Sequence, residues 1–75
     1  MDEAIQVGDR VQVRLEAKAG REPAWFEGTV IRIDPYSRHR SFYWVEFDEE
    51  MQAILGIRHI SVLNPRNIQK NGRGG

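Results

Sequence analysis

The chain has 75 residues, which is enough for one small domain and too few for two. Its 40% hydrophobic and 29% charged residues are typical of a folded domain, and eleven Lys and Arg balance eleven Asp and Glu, so any nucleic-acid site has to be a local patch. The lack of cysteine excludes disulfides and thiolate chemistry, and no apolar run reaches the roughly 18 residues of a membrane span. We therefore predict an intracellular domain without a membrane partner.

The N-terminal half of the chain predicts two strands joined by a surface loop. Residues 1–5 are predicted to be a flexible N-terminus. Apolar and polar residues then alternate from Arg10 to Leu15, which predicts a half-buried strand, and residues 17–23 have the composition of a loop. A second strand is predicted over residues 25–34, with a bulge near Gly28, where a strand can bend or let another backbone come close.

The C-terminal half predicts a third strand, one ambiguous element and a short closing strand. Residues 34–40 are a turn-rich hairpin connection, and residues 41–48 form a strand with aromatic side chains on both faces. Residues 51–61 have a mixed pattern that we interpret as a strand, and a short helix over residues 49–55 is the competing interpretation. Residues 62–68 fit a tight turn that leads into a closing strand.

These elements together predict an all-β fold. Four or five short strands without a long helical pattern leave the fewest exposed edges when they curl into a small barrel. We predict a five-stranded SH3-like barrel over residues 6–69. Residues 70–75 have no apolar residue and three glycines, and they are predicted to be a flexible C-terminal tail.

The chain offers few groups for catalysis or metal binding. His39 and His59 are twenty positions apart, and neither has a second histidine at the spacing of metal ligands. The serines have no neighbouring histidine pattern, and no glycine pattern resembles a phosphate loop. We therefore predict a protein that is not an enzyme, with no catalytic residue, no metal and no cofactor.

A first candidate site is the predicted hairpin between strands two and three. Basic side chains bind phosphate and aromatic rings stack on bases, so this cluster fits single-stranded nucleic acid. The competing interpretation is a solvated turn whose rings pack on their neighbours. The candidate nucleic-acid-binding residues are Arg32, Tyr36, Arg38, His39, Arg40 and Phe42.

A second candidate site combines aromatic and acidic residues. If strands two and three pair as a hairpin, Phe26 and Phe47 come together beside the carboxylates of residues 48–50. Ring faces attract a cation, so this combination fits a methylated ammonium group. The competing interpretation is a barrel core followed by an acidic turn.

Residues 24–34, 43–49 and 62–68 resemble a Tudor domain of chromatin readers. The order and spacing are similar to the tandem Tudor of the ubiquitin-like, PHD and RING finger proteins and, more loosely, to the Polycomb-like Tudors. The resemblance implies a barrel with an aromatic cage for methyl-lysine or methyl-arginine on a histone or other protein tail, and a nuclear location if the source is eukaryotic. The implied binding residues are Trp25, Phe26, Tyr43, Phe47, Asp48 and Glu50. Those tandem Tudors have a further aromatic residue where this chain has Glu50 or Met51.

Three functions thus remain open from the sequence. The first is recognition of a methylated protein tail, and the second is nucleic-acid binding through the hairpin. The third is an accessory subunit that docks onto a larger complex through exposed apolar residues, with residues 42–44 and 54–57 as the surface to inspect. Because the related readers use two barrels, we also expect the domain to be part of a longer protein or of a complex.

Overall fold

The computed structural model of the protein describes residues 4–17 and 20–71. Most of the predicted flexible N-terminus and C-terminal tail, and part of the predicted loop over residues 17–23, lie outside these residues. The elements in chain order are β1 (Arg10–Leu15), β2 (Ala24–Ser37), β3 (Arg40–Phe47), α1 (Glu49–Leu55), β4 (His59–Val62), a 3₁₀ turn (Pro65–Asn67) and β5 (Ile68–Lys70). The last strand extends one residue past the predicted end of the folded unit.

The five strands form one antiparallel sheet in the order β4-β3-β2-β1-β5. This confirms the predicted all-β, five-stranded, barrel-like fold. The end strands β4 and β5 are not paired with each other, so the sheet does not close into a complete barrel. In the part of the chain that the structure describes, no helix is long and apolar enough to cross a membrane.

The core lies on one face of this sheet and consists of valine, isoleucine and phenylalanine side chains. The alternation within β1, β2 and β3 directs every second side chain inward, as expected for strands with one buried face. The fully enclosed residues are Val11, Val13, Phe26, Val30, Val45, Phe47, Val62 and Ile68. No polar or charged side chain is buried among the described residues.

Gly28 lies where β2 comes close to the backbone of β3. A Cβ atom at this position would lie 2.5 Å from the backbone oxygen of Glu46, which confirms the predicted close backbone approach. The bulge that we predicted near Gly28 lies three residues later, because the pairing is regular at Gly28 and shifts between Val30 and Arg32. The extra residue, Ile31, changes which face the following side chains occupy.

The hairpin connection is shorter than predicted. β2 continues to Ser37 and β3 begins at Arg40, so only two residues form the turn. The register shifts again between Pro35 and Ser37, which leaves Tyr36 without a partner residue on β3. Pro35 is tolerated here because the hydrogen-bond ladder between β2 and β3 is irregular at this point and does not require the N–H group that proline lacks.

Helix α1 replaces the strand that we predicted over residues 51–61, so that prediction is wrong for its first half. The competing prediction of a helix over residues 49–55 matches the observed bounds, and β4 then begins at His59. Met51 and Leu55, four residues apart, pack together against the core, which gives the segment a helical apolar stripe. Gly56 ends the helix at a φ of 76°, and its N–H donates to the Gln52 carbonyl.

Candidate functional site

The structure brings Phe26 and Phe47 together, but as core residues. Their ring centroids are 6.5 Å apart in an edge-to-face arrangement. The exposed fractions of Phe26 and Phe47 are only 6% and 2%. A cation can bind only to an accessible ring face, so these two rings do not form an open cage in this structure.

Asp48 is already paired with a cation of the protein itself. Arg10 donates from Nη1 to Oδ1 of Asp48 at 2.8 Å and from Nη2 to Oδ2 at 2.7 Å, and it also donates to Thr29. The hydrogen bonds from Arg10, assisted by its charge, lower the pKa of Asp48 although burial acts in the opposite direction. The carboxylate of Asp48 therefore links the residue after β3 to Arg10 on β1, and its two oxygens are already occupied by hydrogen bonds within the protein.

This pairing predicts a specific acid dependence of stability. Because the folded-state pKa of Asp48 is below its ordinary value of 3.8, the pair stabilises the fold above about pH 4 and ceases to do so as the pH falls through the lowered pKa. We expect Asp48→Asn to cost about 1 kcal/mol at neutral pH, a small value because the Arg10 side chain is 46% exposed. Urea unfolding between pH 7 and pH 2 measures the difference. Identical pH profiles for the wild type and the variant would contradict this role.

The other implied cage residues lie in different places. Trp25 is exposed, and it pairs with Arg14 on a face opposite to that of Phe26. Tyr43 pairs with Ile33 and Val62, four residues before Phe47, which separates them by about 13 Å along the strand. Glu50 is exposed in the first turn of α1. The six residues therefore do not enclose one site.

The face of β2, β3 and β4 opposite to the core carries two aromatic pairs that are not buried. The rings of Tyr36 and Phe42 meet edge to face with centroids 5.4 Å apart. Trp44 and His59 lie 6.0 Å apart in a tilted arrangement. We call this surface, with the basic residues beside it, the aromatic-basic face. It comprises Arg32, Tyr36, Arg38, His39, Arg40, Phe42, Trp44 and His59.

The strand pairing explains why Arg32, Phe42 and Trp44 share one face. Since Val45 and Phe47 point into the core, Phe42 and Trp44 must point outward by the two-residue period of a strand. On β2, Val30 points inward, and regular alternation would send Arg32 inward as well. The extra residue Ile31 prevents this, so that Arg32 pairs with Trp44 on the outer face.

A shared carboxylate orients two members of the aromatic-basic face. Arg32 Nε donates to Asp34 Oδ1 at 2.8 Å, and Trp44 Nε1 donates to Oδ2 of the same side chain at 3.1 Å. Arg32 and Trp44, together with Ile31 and His59, line a shallow depression of about 220 Å³. The indole ring is thus held in a fixed direction beside an arginine.

The hairpin end of this face carries three consecutive basic residues. Arg38, His39 and Arg40 are all exposed, and Tyr36 beside them is 62% exposed. Within residues 4–17 and 20–71, none of these three basic side chains has a carboxylate partner. Glu46, which also points outward from β3, is paired with Arg58 at 2.9 Å.

The aromatic-basic face contains all six residues predicted for the nucleic-acid alternative, together with two that the sequence analysis missed. Trp44 and His59 were missed because their contact depends on the pairing of β3 with β4. The alternation of residues 42–47 was the available signal for Trp44.

Comparison of the chain with protein-family models, curated proteins and solved structures found no match. The described residues contain no group of three His, Asp or Glu side chains placed to hold a metal ion.

Proposed function

We propose that this domain is a recognition module that binds single-stranded nucleic acid through the aromatic-basic face. The observation that carries the proposal is the contact of the exposed Tyr36 ring with the half-buried Phe42 ring beside Arg38 and Arg40, which have no carboxylate partner in the described chain. Rings without a polar cover offer stacking surfaces, and arginines without a partner offer phosphate contacts. Both ingredients of single-strand binding are therefore present on one surface.

The arrangement favours an unpaired strand over a duplex. Phe42 and Trp44 lie two residues apart on the same side of β3, which separates them by about 7 Å. Bases can spread over such a row of rings only when they are unpaired, and each stacked base contributes about 1–3 kcal/mol. A base pair inside a duplex has no free ring face to offer to Phe42 or Trp44.

The electrostatic contribution to this binding should be measurable but small. Arg38 and Arg40 can each neutralise one phosphate, whereas Arg32 is already paired with Asp34. Two phosphate contacts to a single strand correspond to a slope of about −1.4 in a plot of log affinity against log salt. We therefore expect the affinity to fall about sevenfold between 50 and 200 mM salt.

The test measures fluorescence anisotropy of a labelled oligothymidylate of about 12 nucleotides, a length within the usual site size of small barrels. We expect Arg38→Gln/Arg40→Gln to bind more weakly and to show less than about a twofold salt effect. Tyr36→Ala should weaken binding about fivefold or more through lost stacking, without a change in the salt slope. The matched control is Arg66→Gln, which removes an exposed charge outside this face.

Three results would contradict the proposal. The first is no measurable binding of the oligonucleotide by the wild type at low salt. The second is an affinity that does not change with salt. The third is an equal loss of affinity in Arg66→Gln and Arg40→Gln, since that would indicate a general charge effect rather than binding at the hairpin.

A second candidate function is recognition of a methylated ammonium group, and one contact favours it. The guanidinium carbon of Arg21 lies 5.5 Å from the centroid of the Phe26 ring. One face of this ring thus holds a cation within the range of a cation–π interaction. A methylated side chain would have to displace Arg21, so we expect Arg21→Gln to bind such a ligand more tightly than the wild type.

A further inference from the structure

An apolar groove lies between the end of β1, helix α1 and β4, away from the aromatic-basic face. Its volume is about 670 Å³. Ile54 and Ile57 in its wall are 62% and 42% exposed, so two accessible aliphatic side chains line the same groove. The groove is lined by Leu15, Arg21, Ile54, Leu55, Ile57 and Ile60, and we refer to it as the α1 groove.

Arg21 gives the α1 groove one unsatisfied polar group. Its Nη1 atom is buried and has no hydrogen-bond partner. The nearby carboxylate of Glu16, which also lines the groove, is paired with Arg14 at 3.0 Å and does not serve Arg21. A buried donor without an acceptor is costly, and an acceptor supplied by a partner would remove that cost.

We propose that the α1 groove binds a short segment of another protein that carries aliphatic side chains next to one Asp or Glu. The aliphatic side chains would cover Ile54 and Ile57, and the carboxylate would accept a hydrogen bond from Arg21 Nη1. A charged acceptor suits this position better than a neutral one, because hydrogen bonds between two ionised groups are the stronger kind. The groove shares no residue with the aromatic-basic face, so this proposal does not depend on the proposed function.

The charge of the groove argues against a second copy of this chain as the occupant. A symmetric dimer uses the same patch on both copies and would bring the two Arg21 side chains toward each other. Neither copy would offer a free carboxylate from its groove, since Glu16 is already paired with Arg14. A different protein segment with an acidic residue meets the requirement directly.

The experiment selects binders from a random nine-residue peptide library displayed on phage, with the wild-type protein as bait and Ile57→Asp as the counter-selection. Ile57 is exposed and lies outside every helix and strand, so this variant should keep its fold, which circular dichroism checks. We expect the enriched peptides to share two aliphatic residues and one Asp or Glu. A synthetic peptide of the enriched sequence should bind at least about fivefold more tightly than its Gln counterpart.

Arg21→Gln serves as the matched variant for the carboxylate contact. The substitution removes the unsatisfied donor and also the guanidinium that lies 5.5 Å from the Phe26 ring, so urea unfolding checks that the variant keeps its fold. We expect it to abolish the preference for the acidic peptide over the Gln peptide while the aliphatic requirement persists. The proposal is overturned if no peptide is enriched over the counter-selection, if enriched peptides lack acidic residues, or if Arg21→Gln retains the full preference. Concentration-dependent dimerisation that Ile57→Asp abolishes would also overturn it.

Discussion

Phe47→Ala is expected to lose about 3–5 kcal/mol of folding free energy, which is the usual cost of truncating a buried phenylalanine. Phe47 is 2% exposed and contacts Phe26 edge to face. The total stability of a 75-residue domain is roughly 4–11 kcal/mol, so this loss removes between about a quarter and all of it. Loss of a ligand in this variant would therefore be informative about contact with Phe47 only if the variant were shown to be folded.

Urea unfolding followed by tryptophan fluorescence measures this effect, and Tyr36→Ala is the matched control. Tyr36 is also an aromatic residue in the paired strands, but it is 62% exposed. Its truncation should cost less than about 1 kcal/mol, as surface substitutions usually do. If Phe47→Ala cost no more than Tyr36→Ala, the assignment of Phe47 to the core would be wrong.

Gly28→Ala is expected to cost about 3 kcal/mol, because the added methyl group meets atoms that cannot move away easily. Its Cβ would lie 2.5 Å from the backbone oxygen of Glu46 and 2.7 Å from a methyl carbon of Val45. Gly28 is paired with Phe47 in the centre of the sheet, so relief of the clash requires β2 and β3 to separate.

Thermal unfolding measures the effect of Gly28→Ala, with an expected fall in the melting temperature of roughly 12–24 °C. Ser37→Ala is the control, because it lies on the same strand and is exposed. A fall of only a few degrees in Gly28→Ala would contradict the close approach of the two strands.

The fold was predictable where the alternation was regular. β1 and most of β2 and β3 follow the two-residue period, and the predicted hairpin of the second and third strands brings Phe26 and Phe47 together. Residues 49–55 lack such a period. A short helix that directs only two side chains inward gives an apolar pattern similar to that of a strand, so the sequence did not distinguish the two. The bulge at Ile31 was also hidden, since it follows from the packing of two strands and not from a glycine.

Most residues of the candidate site could be predicted from the sequence, but the exposure of their side chains could not. Arg38, Arg40 and Tyr36 stand close together in the sequence, so a hairpin was enough to group them. Trp44 and His59 lie fifteen residues apart and meet only through the pairing of β3 with β4. The burial of Phe26 depends in part on Arg21 from a separate loop, a contact that no local pattern indicates.

These features together describe a small sheet with two different surfaces. The face of β2, β3 and β4 opposite to the core carries aromatic rings and two arginines that have no acidic partner among the described residues, and the α1 groove exposes aliphatic side chains around one unsatisfied arginine. The pair of Arg10 and Asp48 links β1 to the residue that follows β3. The two surfaces share no residue, so we expect variants of one surface to leave ligand binding by the other unchanged.

The most direct test of the proposed function is an amide chemical-shift titration of the isotopically labelled protein with oligothymidylate, and in parallel with a trimethylated lysine peptide. We expect the oligonucleotide to shift Tyr36, Arg38, Arg40, Phe42 and Trp44 progressively, while Ile54 and Ile57 stay unchanged. The proposal would be contradicted if the oligonucleotide shifted none of these residues. Shifts at Phe26 and Arg21 that require the methyl groups of the peptide, without an oligonucleotide response, would establish the second candidate function instead.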